Sequence, residues 1–194
     1  MFDFKLFTLS ASHLNNTRKA ATDILFFNRV EKTGSQSLSI LLIELAKKLD
    51  FAFYRNPESV MPNDISPEED QQTLVEELMD AHSDGEAVVH VEHINWINFT
   101  QFEAPKPIYI NLFRHPIDKV VSGYYYQRHP AIYSYYVRHN PKQKLHDRAW
   151  FDTSFDDCVR QAKLKECIFD SHNPFNGDWR RLGLHFCGNK RECK

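Results

Sequence analysis

Short apolar runs alternate with amphipathic stretches along most of this chain. Ile24, Leu25, Phe26 and Phe27 form the first run and read, with Asn28, as a buried strand. Leu38, Leu41, Leu42, Leu45, Ala46 and Leu49 then fall at helical spacing, which predicts an amphipathic helix over about 36–49. A second short strand signal covers 51–54, and residues 55–70, rich in Pro, Asn, Ser and acids, read as a loop. Pro67 and the acidic residues behind it open a helix over about 67–82, which Asp84-Gly85 ends. Ala87 to Val91 is a third strand. Ile108 to Phe113, β-branched and aromatic throughout, is the most strand-like run of all. Pro116 suits the first turn of a helix over 117–126. Residues 1–22 are polar and aperiodic and read as a tail or linker, leaving 23–194 as the domain.

Strands alternating with helices predict an α/β fold with a parallel sheet, in which ligands gather at the carboxyl ends of the strands. Three polar features follow predicted strands: the turn Lys32-Thr33-Gly34-Ser35, His93, and Arg114. A strand that delivers a Gly/Ser/Thr turn to a helix N-terminus makes an anion site, because unpaired N–H groups and the helix dipole converge there. Lys32 adds a mobile point charge. The turn is not a Walker A loop, since the order is Lys-Thr-Gly and no upstream glycine stands at the required spacing. Taken singly, each residue has an ordinary explanation: a surface lysine, a satisfied structural histidine, an Arg114–Asp118 helix-face pair, a solvated Ser122. Together they describe a phosphate cradle, a second anion-binding Arg/Ser pair and a base.

Composition narrows this picture. A chain of 194 residues suits one domain with a sizeable core. A formal net charge of −2 excludes a general nucleic-acid binder, so any anion site is local. No signal h-region or membrane span is visible in residues 1–9. Yet the four cysteines, even in number and clustered late, suit two local disulfides, Cys158–Cys167 and Cys187–Cys193. Free or metal-binding thiols are the alternative, although the spacings are not C-x2-C and no His lies at a standard ligand offset. Asn15 and Asn98 each head a glycosylation sequon. Both features point to the secretory route.

Several segments resemble a known family. FNRVEKTGSQS, residues 27–37, is similar to the 5′-phosphosulfate loop of the heparan sulfate and uronyl 2-O-sulfotransferases, whose usual form is N-R-V-P-K-T-(A/G)-S-x-S. PIYINLFRHPIDKVVS, residues 107–122, resembles their 3′-phosphate element, P-I-Y-I-N-x-x-R-x-P-I-x-R-x-x-S, and the trailing Tyr124-Tyr125-Tyr126 matches as well. His93 to Phe99 fits the catalytic-base segment H-x-x-(Y/W)-x-(D/N)-F, and the four cysteines match the family's two disulfides in order. Within the family, Glu31 and the His-Val-Glu-His of residues 90–93 look most like the insect Pipe branch.

The resemblance implies the P-loop-like, three-layer α/β/α sulfotransferase fold. It implies PAPS (3′-phosphoadenosine 5′-phosphosulfate) as donor, PAP as product, no metal, and a sulfated or sulfatable glycan as acceptor, sulfated at the 2-O of a uronic acid. His93 would take the hydroxyl proton, and Lys32 would stabilise the leaving phosphate. Backbone N–H groups of Thr33, Gly34, Ser35, Gln36 and Ser37 would hold the 5′-phosphate, and Arg114 and Ser122 the 3′-phosphate. Arg29 would face the acceptor's carboxylate or sulfate. A Golgi-luminal type II membrane protein and a homo-oligomer follow from the same resemblance, with no nucleic-acid partner. The family's N-terminal anchor and its C-terminal portion beyond the second disulfide are expected to be missing, as in a fragment or shortened isoform. A non-catalytic relative that binds PAP or glycan without turnover is the second reading; a P-loop phosphotransferase is the third, weakened by the absent Walker order. Two departures bear on the acceptor: Glu31 stands where the family has proline, and Val91 where it often has a second histidine. An anionic Glu31 near the cleft predicts a less sulfated acceptor.

Overall fold

The computed structural model describes residues 19–55, 68–83, 85–162, 164–168 and 183–188. Four strands, β1 (Ile24–Asn28), β2 (Ala52–Tyr54), β3 (Val88–Glu92) and β4 (Ile108–Ile110), form one parallel sheet in the order β2-β3-β1-β4. Helix α1 (Ser35–Leu49) follows β1, and α2 (Glu68–His82) lies between β2 and β3. Then come α3 (Pro116–Arg128), α4 (Pro130–His139), α5 (Arg148–Asp152), α6 (Phe155–Gln161) and α7 (Leu184–Cys187). None of the described helices is long and apolar enough to cross a membrane.

The period of two along β1 sorts the core into two layers. Ile24 and Phe26 pack with Val75 and Leu78 of α2, Val88, and Ile97 and Phe99 from the loop after β3. Phe27 points the other way, onto Leu42 of α1, Val89 and Val91. A central strand buried on both faces reads as a continuous apolar run, which is why Ile24–Phe27 shows no polar alternation. The result is helix, sheet, helix: an α/β fold of three layers.

Expectation and structure differ in two places. On α1, Leu42 and Ala46 are buried, but Leu41 and Leu49 are 53% and 63% exposed, so the covered stripe is narrower than its periodicity suggested. The strand expected over 108–113 stops at Ile110. There Asn111 turns the chain out of the ladder, because its Oδ1 accepts from the N–H of Leu112 at 2.7 Å, a local bond that competes with sheet pairing. Phe113 is left exposed. Two proline N1 positions, Pro116 and Pro130, start α3 and α4 with only His129 between the helices. Arg128 anchors this end: Nε donates to Trp150 O at 3.1 Å, one terminal nitrogen to Tyr124 O at 3.1 Å, and the other to the carboxylate of Glu166.

Candidate functional site

Three strand ends meet where the chemistry-bearing residues lie. Register sets Asn28 of β1 opposite Glu92 of β3, and the Arg29 N–H donates to Glu92 O at 2.6 Å. The next residues out of the sheet, Arg29 and His93, are therefore neighbours. Nδ1 of His93 lies 3.0 Å from Arg29 O. A carbonyl only accepts, so Nδ1 carries the hydrogen and Nε2 keeps its lone pair. Burial, and then the Arg29 charge, push the His93 pKa down to about 4, against the raising effects of that carbonyl bond and of Glu92. The ring is neutral at physiological pH. It is a base with its proton-accepting nitrogen facing away from the backbone.

The turn after β1 is built by its own hydroxyls. Thr33 Oγ and Ser35 Oγ both donate to Val30 O, at 2.8 and 3.1 Å, and Ser39 Oγ donates to Ser35 O at 2.8 Å. Lys32 and Gly34 take left-handed backbone angles, φ 61° and 91°. Gly34 is the N-cap of α1 and offers no side-chain cap, and the first turn of α1 holds no acid. The leading N–H groups of a helix have no intrahelical acceptors, so this end presents uncompensated donors and positive dipole to a ligand. An anionic phosphate fits it.

Lys32 places its ammonium 3.6 Å from the centroid of the Tyr126 ring on α3. Burial, and then Arg114, lower its proton affinity. Arg114 is exposed just before α3, and Ser122 is half-buried within that helix. Tyr126 and Arg114 thus bring the 107–122 element against the Lys32 turn, and two like charges held close favour an anion between them. Ser37 is exposed, with its N–H on Gly34 O at 3.1 Å. Gln36 accepts from the Arg29 guanidinium at 3.1 Å. That guanidinium is 4% exposed, and burial, with help from Arg55, lowers its pKa. Arg29 therefore braces the turn from inside.

Glu31 turns inward as well. Its carboxylate lies 3.9 Å from His93 Nδ1 and 3.8 Å from Nε2 of His185. Its carboxylate faces the two histidines. His185, on α7, could not be singled out from the sequence: no motif surrounds it, and its partners are far away in the chain. Its Nδ1 lies 3.2 Å from Ile94 O, and its own carbonyl accepts from Asn28 Nδ2 at 2.5 Å. Asn28 in turn accepts from Asn111 at 3.2 Å, joining the ends of β1 and β4 to α7. Beyond β2 and β3 a cavity of about 650 Å³ is lined by Tyr54, Arg55, Glu77, Asp80, His90 and Glu92. His90 itself is buried, stacked on Phe26 at 5.0 Å. Only the second histidine of the His-Val-Glu-His run reaches the site.

Among the remaining candidates, Cys158 and Cys167 form a disulfide. Cys187 is disulfide-bonded, and Cys193 lies outside the described residues, as does Asn15. Asn98 accepts from Thr100 Oγ at 2.9 Å.

A profile of the Sulfotransferase family matches residues 15–194. The uronyl 2-sulfotransferase homolog pip of Drosophila melanogaster is 38% identical across 98% of this chain and 37% of its own length. The Drosophila melanogaster heparin sulfate O-sulfotransferase is 34% identical across 88% of the chain and 44% of its own. Heparan sulfate 2-O-sulfotransferase 1 of Homo sapiens is 27% identical over 88% and 43%. The chain spans less than half the length of each of these relatives.

Proposed function

The chain belongs to the Sulfotransferase family, and from that premise we propose that it carries the donor site and base for sulfuryl transfer from PAPS to a glycan hydroxyl. PAPS supplies the sulfuryl group and leaves as PAP. The N–H groups of Thr33 to Gln36, at the start of α1 where no side chain caps, hold the 5′-phosphate, and Ser37, whose own N–H is on Gly34 O, follows them in the first turn. Arg114 and Ser122 hold the 3′-phosphate. His93 takes the acceptor's hydroxyl proton on Nε2 as that oxygen bonds to sulfur and the bond to the phosphate oxygen breaks. The Lys32 ammonium meets the charge left on that oxygen. A uronic acid 2-hydroxyl in a glycosaminoglycan is the acceptor we favour. The Cys158–Cys167 disulfide supports a setting in the secretory route, with the Golgi lumen as the compartment.

One observation carries this reading: a histidine with its Nε2 lone pair free stands beside a lysine-bearing turn that opens an uncapped helix. The test is transfer of radiolabelled sulfate from PAPS to heparosan, chondroitin and glycoprotein glycans, with PAP affinity measured in parallel. His93→Ala should lose about a hundred-fold or more in rate while binding PAP as the parent does. Undiminished transfer by His93→Ala, or no affinity for PAP, refutes it. PAP binding without transfer to any acceptor identifies the binding-only relative instead.

A further inference from the structure

Glu31 has no part in the mechanism above, yet its surroundings are specific. It is 18% exposed, and neither carboxylate oxygen has a well-aligned hydrogen-bond partner among the described residues. Burial raises its pKa, offset in part by its own backbone N–H, Lys119 and Arg29. The two histidines beside it present different faces. His93 turns its Nδ1–H side to Glu31, because Nδ1 is the nitrogen on Arg29 O. His185 turns Nε2, because its Nδ1–H is on Ile94 O. At 3.8 Å, Nε2 of His185 and the carboxylate oxygen are too far apart for a hydrogen bond, so no proton is held between them.

We propose that Glu31 is a positioning residue for the base: one oxygen of its carboxylate lies beside Nδ1 of His93 as counter-charge for the imidazolium formed in turnover, while the other faces His185. This rests on His93 being the base. The covalent balance is unchanged by it, since the hydroxyl proton goes to His93 Nε2 and Glu31 acts through its charge alone. Arg29, from the end of β1, and Arg55, from the end of β2, both disfavour a charged His93, and Glu92 of β3 favours it. Lys119 of α3, and then His93 itself, disfavour a charged His185. Tyr136 of α4 also lies within the field of Glu31. In that largely cationic setting a buried carboxylate 3.9 Å from Nδ1 stands where it can offset the charge that His93 acquires.

The test uses histidine ring NMR titrations and pH–rate profiles on the chain and on Glu31→Gln and Glu31→Asp. Removing the carboxylate destabilises the imidazolium, so in Glu31→Gln the His93 titration and the acid limb of kcat/KM should both move to lower pH by about one unit or more. The plateau kcat should fall about ten-fold as the base weakens. PAP affinity should stay within about two-fold. Glu31→Asp, which keeps the charge, should restore most of the His93 shift. Coincident His93 titrations in parent and Glu31→Gln, or Glu31→Asp behaving as Glu31→Gln, overturn the proposal. A parent chain that transfers no sulfuryl group counts against the function alone, because the ring titration reads Glu31 without turnover.

Discussion

Replacing Asn28 with alanine removes the clasp between the central strand and α7. Asn28 is 2% exposed and serves two partners: its amide donates to His185 O at 2.5 Å, and its carbonyl accepts from Asn111 at 3.2 Å. The buried His185 carbonyl then has no donor, which costs about 1–3 kcal/mol. Asn111 is only half-buried and regains water, so its loss is nearer 0.5–1.5 kcal/mol. The sum is about 3 kcal/mol. At about 3 °C per kcal/mol for a chain of this size, Tm should fall about 9 °C by calorimetry. Hydrogen exchange should rise most at 183–188, because α7 also hangs on His185 and Ile94.

Asn28→Asp sharpens the test. At pH 8 a buried carboxylate faces the His185 carbonyl, so this variant should be less stable than Asn28→Ala. Its folded pKa is raised above the unfolded value of about 4, so the penalty is complete above the folded pKa and vanishes as pH falls below the unfolded one. Asn28→Asp should therefore gain on Asn28→Ala upon acidification, when its protonated oxygen can donate to His185 O. An Asn28→Ala within about 0.5 kcal/mol of the parent, or an Asn28→Asp that gains nothing in acid, refutes the clasp.

The same region makes two further predictions. His93 and His185 are held neutral with pKa values of about 4 against about 6.5 in the unfolded chain. Between those values the unfolded state binds more protons, so stability should fall as pH drops from about 6.5 to about 4, by at most about 3 kcal/mol per histidine. The difference between parent and His93→Gln in urea titrations cancels shared carboxylate effects and isolates one of these contributions; a difference independent of pH refutes the assignment. Gly188, at φ 75°, would set a Cβ 2.7 Å from the backbone oxygen of Trp96. Gly188→Ala should lose about 2–4 kcal/mol through the strained backbone and the forced shift, and an unchanged Tm would refute that.

How far the sequence revealed all this depends on the range of the interactions. The core of β1, the start of α1 and the proline-led α3 are short-range patterns, and Phe26, Phe27 and Leu42 sit where period and polarity predict. The early end of β4 was hidden because Asn111 competes with the ladder through a single local bond that propensity does not register. Leu41 and Leu49 lie on the helical stripe yet are exposed, since periodicity marks a face without saying how wide its cover is. The Lys32 turn and His93 could be found because strand ends gather ligands in such sheets. His185 could not, since it reaches Ile94 across 91 positions and Asn28 across 157.

That contrast explains how an acid can occupy the Lys32 turn at all. The bonds that shape the turn bypass residue 31: Thr33 and Ser35 both close on Val30 O, and Arg29 reaches over to Gln36. The cradle N–H groups belong to residues after Lys32, at the head of α1. Residue 31 can therefore change character without altering the cradle, provided its side chain leaves the phosphate side. Here it does, toward a histidine on β3's end and another on α7. A negative charge that would weaken anion binding if it faced outward instead sits beside the rings of His93 and His185. Its effect should accordingly show in the pH dependence of the base and hardly at all in the affinity for PAP.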